Sequence, residues 1–261
     1  MQKLFLFIAA VFCAAMTAQA ETWTSGDCTV TLENGVMTVS GNGAMADYGG
    51  LGESAPWDDY YEEVTSVVIE DGVTYIGGSS FESFIAMSSV TIPASVRAIG
   101  PYAFAFSQAL VTVTVPEGVA EIGMYAFAHA EGLKTVYLPS TLTIIEQDSF
   151  YDCTVLSDVY CAANPDNLTW EDGSYDDFMS ANQTLCHVIA EYLDGYNAKW
   201  NTGNEDTDVR VTFVGDYVSQ GIESIVESRE SKADSRKILH DGNLYILRDG
   251  KIFNAQGARV K

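Results

Sequence analysis

Apolar residues recur through the middle of this chain at a fixed step. Phe81, Phe104, Phe127 and Phe150 are each 23 residues apart, and Ile76, Ile99, Ile122 and Ile145 keep the same step. Val67, Val90, Val113, Val136 and Val159 form a third column, and Ile69, Ile92, Val115, Leu138 and Cys161 a fourth. Val73, Val96, Val119 and Leu142 make a fifth; Val64, Met87, Leu110, Leu133 and Leu156 make a sixth. Ordinary globular sequence does not hold six apolar columns in register over four units, whereas a repeat array does.

Each unit contains one short alternating run, such as Ser89-Val90-Thr91-Ile92-Pro93. Alternation sends residues 90 and 92 to one face and 89 and 91 to the other, which predicts a strand buried on one side. Proline follows that run in several units (Pro93, Pro116, Pro139) and ends it by removing a backbone donor. A second extended piece comes next, as in Val96–Ile99. A glycine (Gly77, Gly100, Gly123) then precedes a helical turn around Ala103-Phe104. One unit cannot bury its own apolar edge, so the units must stack, at about 4.8 Å per coil, with parallel strands from successive coils forming a sheet.

The strings SSVTIPASVRAIGPYAFAFSQAL and VTVTVPEGVAEIGMYAFAHAEGL closely resemble the BspA-like class of bacterial leucine-rich repeats. The resemblance covers residues 64–161. It departs where Glu146 replaces the turn glycine and Ala162 the proline. It implies a strand-rich α/β leucine-rich-repeat fold: a right-handed solenoid with a parallel concave sheet, short helical turns and caps at both ends. MTVSGNGAMADYGG with Pro56-Trp57 resembles the N-terminal cap of such arrays, with Met37 and Val39 covering the first coil, and assigns residues 21–63 to it. TLCHVIAEYLDGYNAKW resembles a closing unit, with Cys186 and Val188 beside Val159 and Cys161. Residues 162–218 are then a C-terminal cap carrying a polar insertion, Asn164 to Asn182.

The ends read differently. Residues 1–20 have the three parts of a secretory signal peptide: Lys3, an apolar run from Leu4 to Ala15, and Ala18-Gln19-Ala20 as the cleavage site. A lipoprotein reading centred on Cys13 would set Phe12 where a small residue belongs. Residues 219–237 are mostly polar and read as a linker. In 238–261, Leu244–Leu247 and Ile252-Phe253 flank Asp249-Gly250, a hairpin signal. This segment resembles the C-terminal end of type IX sorting domains, at about half their usual length and without their upstream motifs. That resemblance implies secretion machinery as a partner.

Charge narrows the partners. The chain carries 13 basic against 36 acidic side chains, a formal net charge of −23. Residues 21–220 hold only Arg97, Lys134, Lys199 and Arg210 against 30 carboxylates, while 221–261 hold eight basic and six acidic groups. Such a body repels nucleic acid and anionic lipid headgroups, so neither is an expected partner, and no later stretch is long and apolar enough for membrane insertion. The acidity serves solubility, or draws a cationic partner or Ca²⁺.

Chemistry is sparse. Of three histidines, His129 falls in a turn, His187 on the outward side of the last strand and His240 in the tail. There is no Gly-x-Ser-x-Gly elbow and no His-Glu-x-x-His metal helix, so neither an enzyme nor a cofactor or metal site is expected. Cys186 and His187 are neighbours on a strand and point to opposite faces, which separates thiol from imidazole. Cys161 and Cys186 read as small ladder residues, with a disulfide between them as the alternative. The string Glu171–Asp177 reads as a solvated loop, with Ca²⁺ binding as the alternative, although it lacks the pattern of a calcium loop.

The candidate surface is therefore the outward side of the concave sheet. One outward column reads Val68, Thr91, Thr114, Tyr137, Tyr160, and its neighbour Ser66, Ser89, Thr112, Thr135, Asp158. Hydroxyls and stacked tyrosines without a basic residue suit contact with an extracellular protein or glycan. Thr and Tyr are also simply good strand formers. The class resemblance implies adhesion-type surface proteins; the alternative is a surface spacer without a ligand.

Overall fold

The computed structural model describes residues 20–49, 54–171, 184–200 and 211–217, together with the backbone of three strands in the tail. The expected signal segment before residue 20, most of the acidic string after Glu171, and the expected linker up to 235 lie outside the described residues.

The 23-residue unit folds as one coil of a solenoid. The first strands of successive coils are β5 (Ser66–Ile69), β7 (Ser89–Thr91), β9 (Thr112–Thr114), β11 (Thr135–Leu138) and β13 (Asp158–Cys161). Their pairing is parallel and in the expected register, with Val67 opposite Val90 and Val136 opposite both Val113 and Val159. The pairing ladder stops at β7 and resumes at β9, so the face consists of two sheets rather than one. Val90, beside that seam, is only half-buried where its column mates Val67 and Val113 are fully buried.

The second strands stack separately as β4 (Gly43–Ala44), β6 (Val73–Ile76), β8 (Ala98–Ile99), β10 (Glu121–Ile122), β12 (Ile144–Ile145) and β14 (Thr169–Trp170). β14 lies inside the expected insertion and is another rung, placing Thr169 beside Ile144 and Trp170 beside Ile145. Between the two strands of a coil, the proline carbonyl accepts from the amide three residues on (Val96 to Pro93, Val119 to Pro116, Leu142 to Pro139).

The glycine column serves a purpose other than turning. Gly100 and Gly123 do not adopt a left-handed conformation, but a Cβ on Gly123 would stand 2.7 Å from the Gly100 carbonyl carbon, and one on Gly100 2.6 Å from the Gly78 amide. Adjacent coils touch backbone to backbone there. The helical turns expected near Ala103-Phe104 are hydrogen-bonded turns whose amides also donate to the next coil, Phe104 to the Ala126 carbonyl and Phe127 to Ser149.

The core is the stack of columns. Phe81, Phe104, Phe127 and Phe150 are fully buried and near-parallel, with ring centroids 5.5, 5.3 and 5.3 Å apart. Trp57 extends this stack at the N-terminal end, 6.4 Å from Phe81, and its indole N–H donates to the Ser80 carbonyl at 2.7 Å. The N-terminal strands β1 (Glu21–Ser25), β2 (Cys28–Glu33) and β3 (Val36–Gly41) form an antiparallel meander, and β3 then runs parallel to β5 with Met37 opposite Val67 and Val39 opposite Ile69.

At the other end β15 (Thr184–Ile189) adds Cys186 and Val188 beside Val159 and Cys161, and β16 (Val211–Tyr217) adds one strand more. The helix α1 (Leu193–Trp200) buries Tyr196 beneath these coils. In the tail, β17 (Arg236–His240), β18 (Asn243–Arg248) and β19 (Lys251–Asn254) form a three-stranded antiparallel sheet. The hairpin expected from Asp249-Gly250 joins β18 to β19, and a strand beginning inside the expected linker precedes it.

Candidate functional site

The two outward columns run up the long sheet face, and their environments diverge along it. At the N-terminal half Ser89, Thr91 and Thr112 are exposed, while Ser66, Val68 and Thr114 are half-buried. Ser89 donates its hydroxyl to the Ser66 oxygen at 3.1 Å, and Val111, flanking this stretch, is 46% exposed. Further along, Thr135 sits between Thr112 and Asp158, and both Thr135 and Asp158 are half-buried.

The exposure expected of Tyr137 and Tyr160 is not found. Both point away from the solenoid interior, yet they are only 6% and 1% exposed. They stack face to face at 4.8 Å, and His187 continues the stack at 4.4 Å from Tyr160. Tyr217, from the strand after the closing unit, leans on Tyr160 at 5.6 Å, and Ala162 and Ile189 complete a small second core. Burial pushes both phenols well above the usual tyrosine value; the neighbouring Tyr160 and then the Asp158 carboxylate add to it at Tyr137, and Asp158 and then Asp216 at Tyr160. These rings are therefore packing residues first.

His187 is held on both sides. Its Nδ1 is 2.7 Å from Asp216 Oδ1 and its Nε2 3.1 Å from Asp158 Oδ1, with the ring only 6% exposed. Each ring nitrogen thus has a carboxylate partner, and the ring bridges β13 to β16. A general base needs a free ring nitrogen beside a nucleophile, and neither nitrogen is free here. Cys186, next in sequence, faces the opposite side and is fully buried, and burial pushes its thiol up, away from the thiolate. The Cys161–Cys186 disulfide left open above is not formed: all four cysteines described are free and buried, and the Cys161 sulfur is 3.1 Å from the Tyr196 hydroxyl.

Among the described residues no group of three or more His, Cys, Asp or Glu side chains is placed to hold a metal. No helix among them is long and apolar enough to cross a membrane. The Asp158–His187–Asp216 bridge is a polar cluster that the sequence did not announce. Its outward placement was legible from strand alternation, but its partner Asp216 lies 29 residues beyond His187, off the 23-residue step.

Residues 59–170 match the family model described as BspA type Leucine rich repeat region, in six copies. No curated protein matches the chain significantly. Among solved structures, a leucine-rich repeat protein from Eubacterium ventriosum ATCC 27560 is 24% identical, over 60% of this chain and 45% of that one, with a TM-score of 0.45. The T. pallidum Leucine Rich Repeat protein is 18% identical over 75% and 95%, with a TM-score of 0.41. A leucine rich cell surface protein from Faecalibacterium prausnitzii A2-165 is 20% identical over 92% and 60%, with a TM-score of 0.39. The chain thus spans less than half the length of the first of these.

Proposed function

We propose that this chain is a BspA-type leucine-rich-repeat protein, exported to the bacterial surface, that captures an extracellular protein or glycan on its concave sheet and performs no catalysis. The observation carrying this reading is the open stretch around Thr91, Thr112 and Thr114, a regular array of hydroxyls bordered by the exposed Val111. The stretch spans the seam between the two sheets: β7 is paired to β5 on one side and β9 to β11 on the other, so each half of it is anchored by its own sheet. Thr135 and Asp158 form its C-terminal margin, where Tyr137 stands beside Thr114 on the next strand and stacks on Tyr160 beyond it. The repeat match over residues 59–170 supports the reading. Residues 1–20 would direct export, and residues 238–261 would engage sorting machinery.

A combined glycan and extracellular-protein array, probed with the chain lacking residues 1–20, tests this. The expected result is a ligand whose signal falls when Thr91 and Thr114 are both replaced by Arg. Surface labelling of intact cells should tag the full-length protein and fail to tag one lacking residues 238–261. Absence of any ligand on the array, or labelling only after lysis, would refute the reading.

A further inference from the structure

A second surface lies on the turn edge, away from the sheet face. Each coil there has two residues with left-handed backbone, and both recur at the repeat step: Ser79, Tyr102, Tyr125, Asp148, and Ser83, Phe106, His129, Asp152. Their φ values run from 51° to 63°. Glycine or asparagine ordinarily takes such positions, because a branched or bulky residue there costs about 1–2 kcal/mol. Four of the eight are nonetheless aromatic rings, and their stacking is regular. Tyr102 and Tyr125 lie face to face at 5.0 Å, and Phe106 and His129 at 4.5 Å. Tyr151, 44% exposed, stands edge-on to both Tyr125 and His129, closing one end of the two rows.

The other end opens into a cavity of about 450 Å³. Ser79, Glu82 and Ser83 line it from the repeat side, and Tyr48, Asp58, Asp59 and Tyr61 from the cap. Among the described residues no basic side chain lines it. Burial raises the Asp58 carboxyl, hydrogen bonds to Ser54 and Ala55 oppose the rise, and the Glu82 and Asp59 charges add to it. Aromatic rings leading into an unneutralised acidic cavity are complementary to cationic side chains, which gain from ring faces and from carboxylates at once. The body around it carries four basic residues in positions 21–220.

We propose that this turn edge docks a basic polypeptide segment of a partner protein, one arginine or lysine entering the cavity at Asp58, Asp59 and Glu82 and the flanking residues lying along the Tyr102–Tyr125 and Phe106–His129 rows. The surface and the partner chemistry are distinct from those of the concave sheet, and the inference does not depend on that reading.

Fluorescence anisotropy with a labelled hexa-arginine peptide tests it on the chain lacking residues 1–20, at physiological ionic strength. The expected result is saturable binding that weakens about tenfold in the Asp58→Asn/Glu82→Gln double variant. Tyr125→Leu should weaken it by several-fold. Glu117→Gln/Glu191→Gln removes the same charge elsewhere and should leave affinity within twofold. Equal weakening by both double variants would mean diffuse attraction to an acidic body and would overturn the proposal, as would binding indifferent to Asp58 and Glu82. Displacement of the peptide by a neutral oligosaccharide would assign the surface to glycans instead. Circular dichroism of each variant separates lost binding from lost fold.

Discussion

Replacing Tyr160 by alanine separates a packing residue from a displayed ligand contact. The ring is 1% exposed, lies between Tyr137 at 4.8 Å and His187 at 4.4 Å, and is covered by Tyr217. Truncating a buried aromatic costs about 3–5 kcal/mol. Two stacked faces are lost together, each worth roughly 0.5–1.5 kcal/mol beyond area burial, so the cost belongs near the middle of that range, about 4 kcal/mol. A tyrosine standing freely on the sheet would cost within about 0.5 kcal/mol. Urea denaturation followed by circular dichroism distinguishes the two, because a slope near 2 kcal/mol per molar converts the loss into a midpoint lowered by about 2 M. The slope itself is informative: stacked coils unfold as coupled neighbours, and a reduced slope would mean that the coils beyond Tyr160 had detached on their own. A loss below about 1 kcal/mol with an unchanged slope would refute the reasoning and return the tyrosines to the exposed surface.

Other outcomes follow from the same geometry. Phe104→Ala removes a ring stacked on Phe81 at 5.5 Å and Phe127 at 5.3 Å and should cost about 3–5 kcal/mol by the same assay; a negligible loss would contradict the stacked core. His187→Ala strands the Asp158 and Asp216 carboxylates opposite each other, so limited proteolysis should cut beyond β15 faster than in the native chain, and an unchanged digestion pattern would mean that the bridge holds nothing. Tyr137, Tyr160, Tyr196 and Tyr217 all titrate above their ordinary value of 10.0, chiefly because they are buried. The unfolded chain therefore releases these protons first. The stability they contribute is fully present below pH 10 and declines above it, by about 1.4 kcal/mol per pH unit for each ring still protonated. Flat stability from pH 9 to 11.5 would show that the rings ionise in the folded state.

The repeat made the coils readable from spacing alone, because a side chain that stacks on its own counterpart leaves a fixed step in the sequence. What broke the step was hidden. Trp170 lies 25 residues after Ile145 rather than 23, and β14 consequently read as part of an insertion. Cys186 and Phe213 are partners 27 residues apart, so nothing in the pattern showed that Tyr217 would return over Tyr160. Strand alternation correctly sent Tyr137, Tyr160 and His187 outward, but outward is a statement about one strand, and burial depends on what a later coil lays across it. The aromatic rows at Tyr102 and Phe106 were invisible for another reason. Left-handed backbone is usually read from glycine, and these positions carry none.

On the proposed reading, the open hydroxyl stretch of the concave face around Thr91, Thr112 and Thr114 holds the ligand. Calorimetric titration of the array-selected ligand into the native chain and into the Thr91→Arg/Thr114→Arg variant tests this, with Thr74→Arg/Thr143→Arg, at exposed positions within β6 and just before β12, as the control. The first variant should lose at least about tenfold in affinity and the control none. Equal affinity in all three proteins would contradict it.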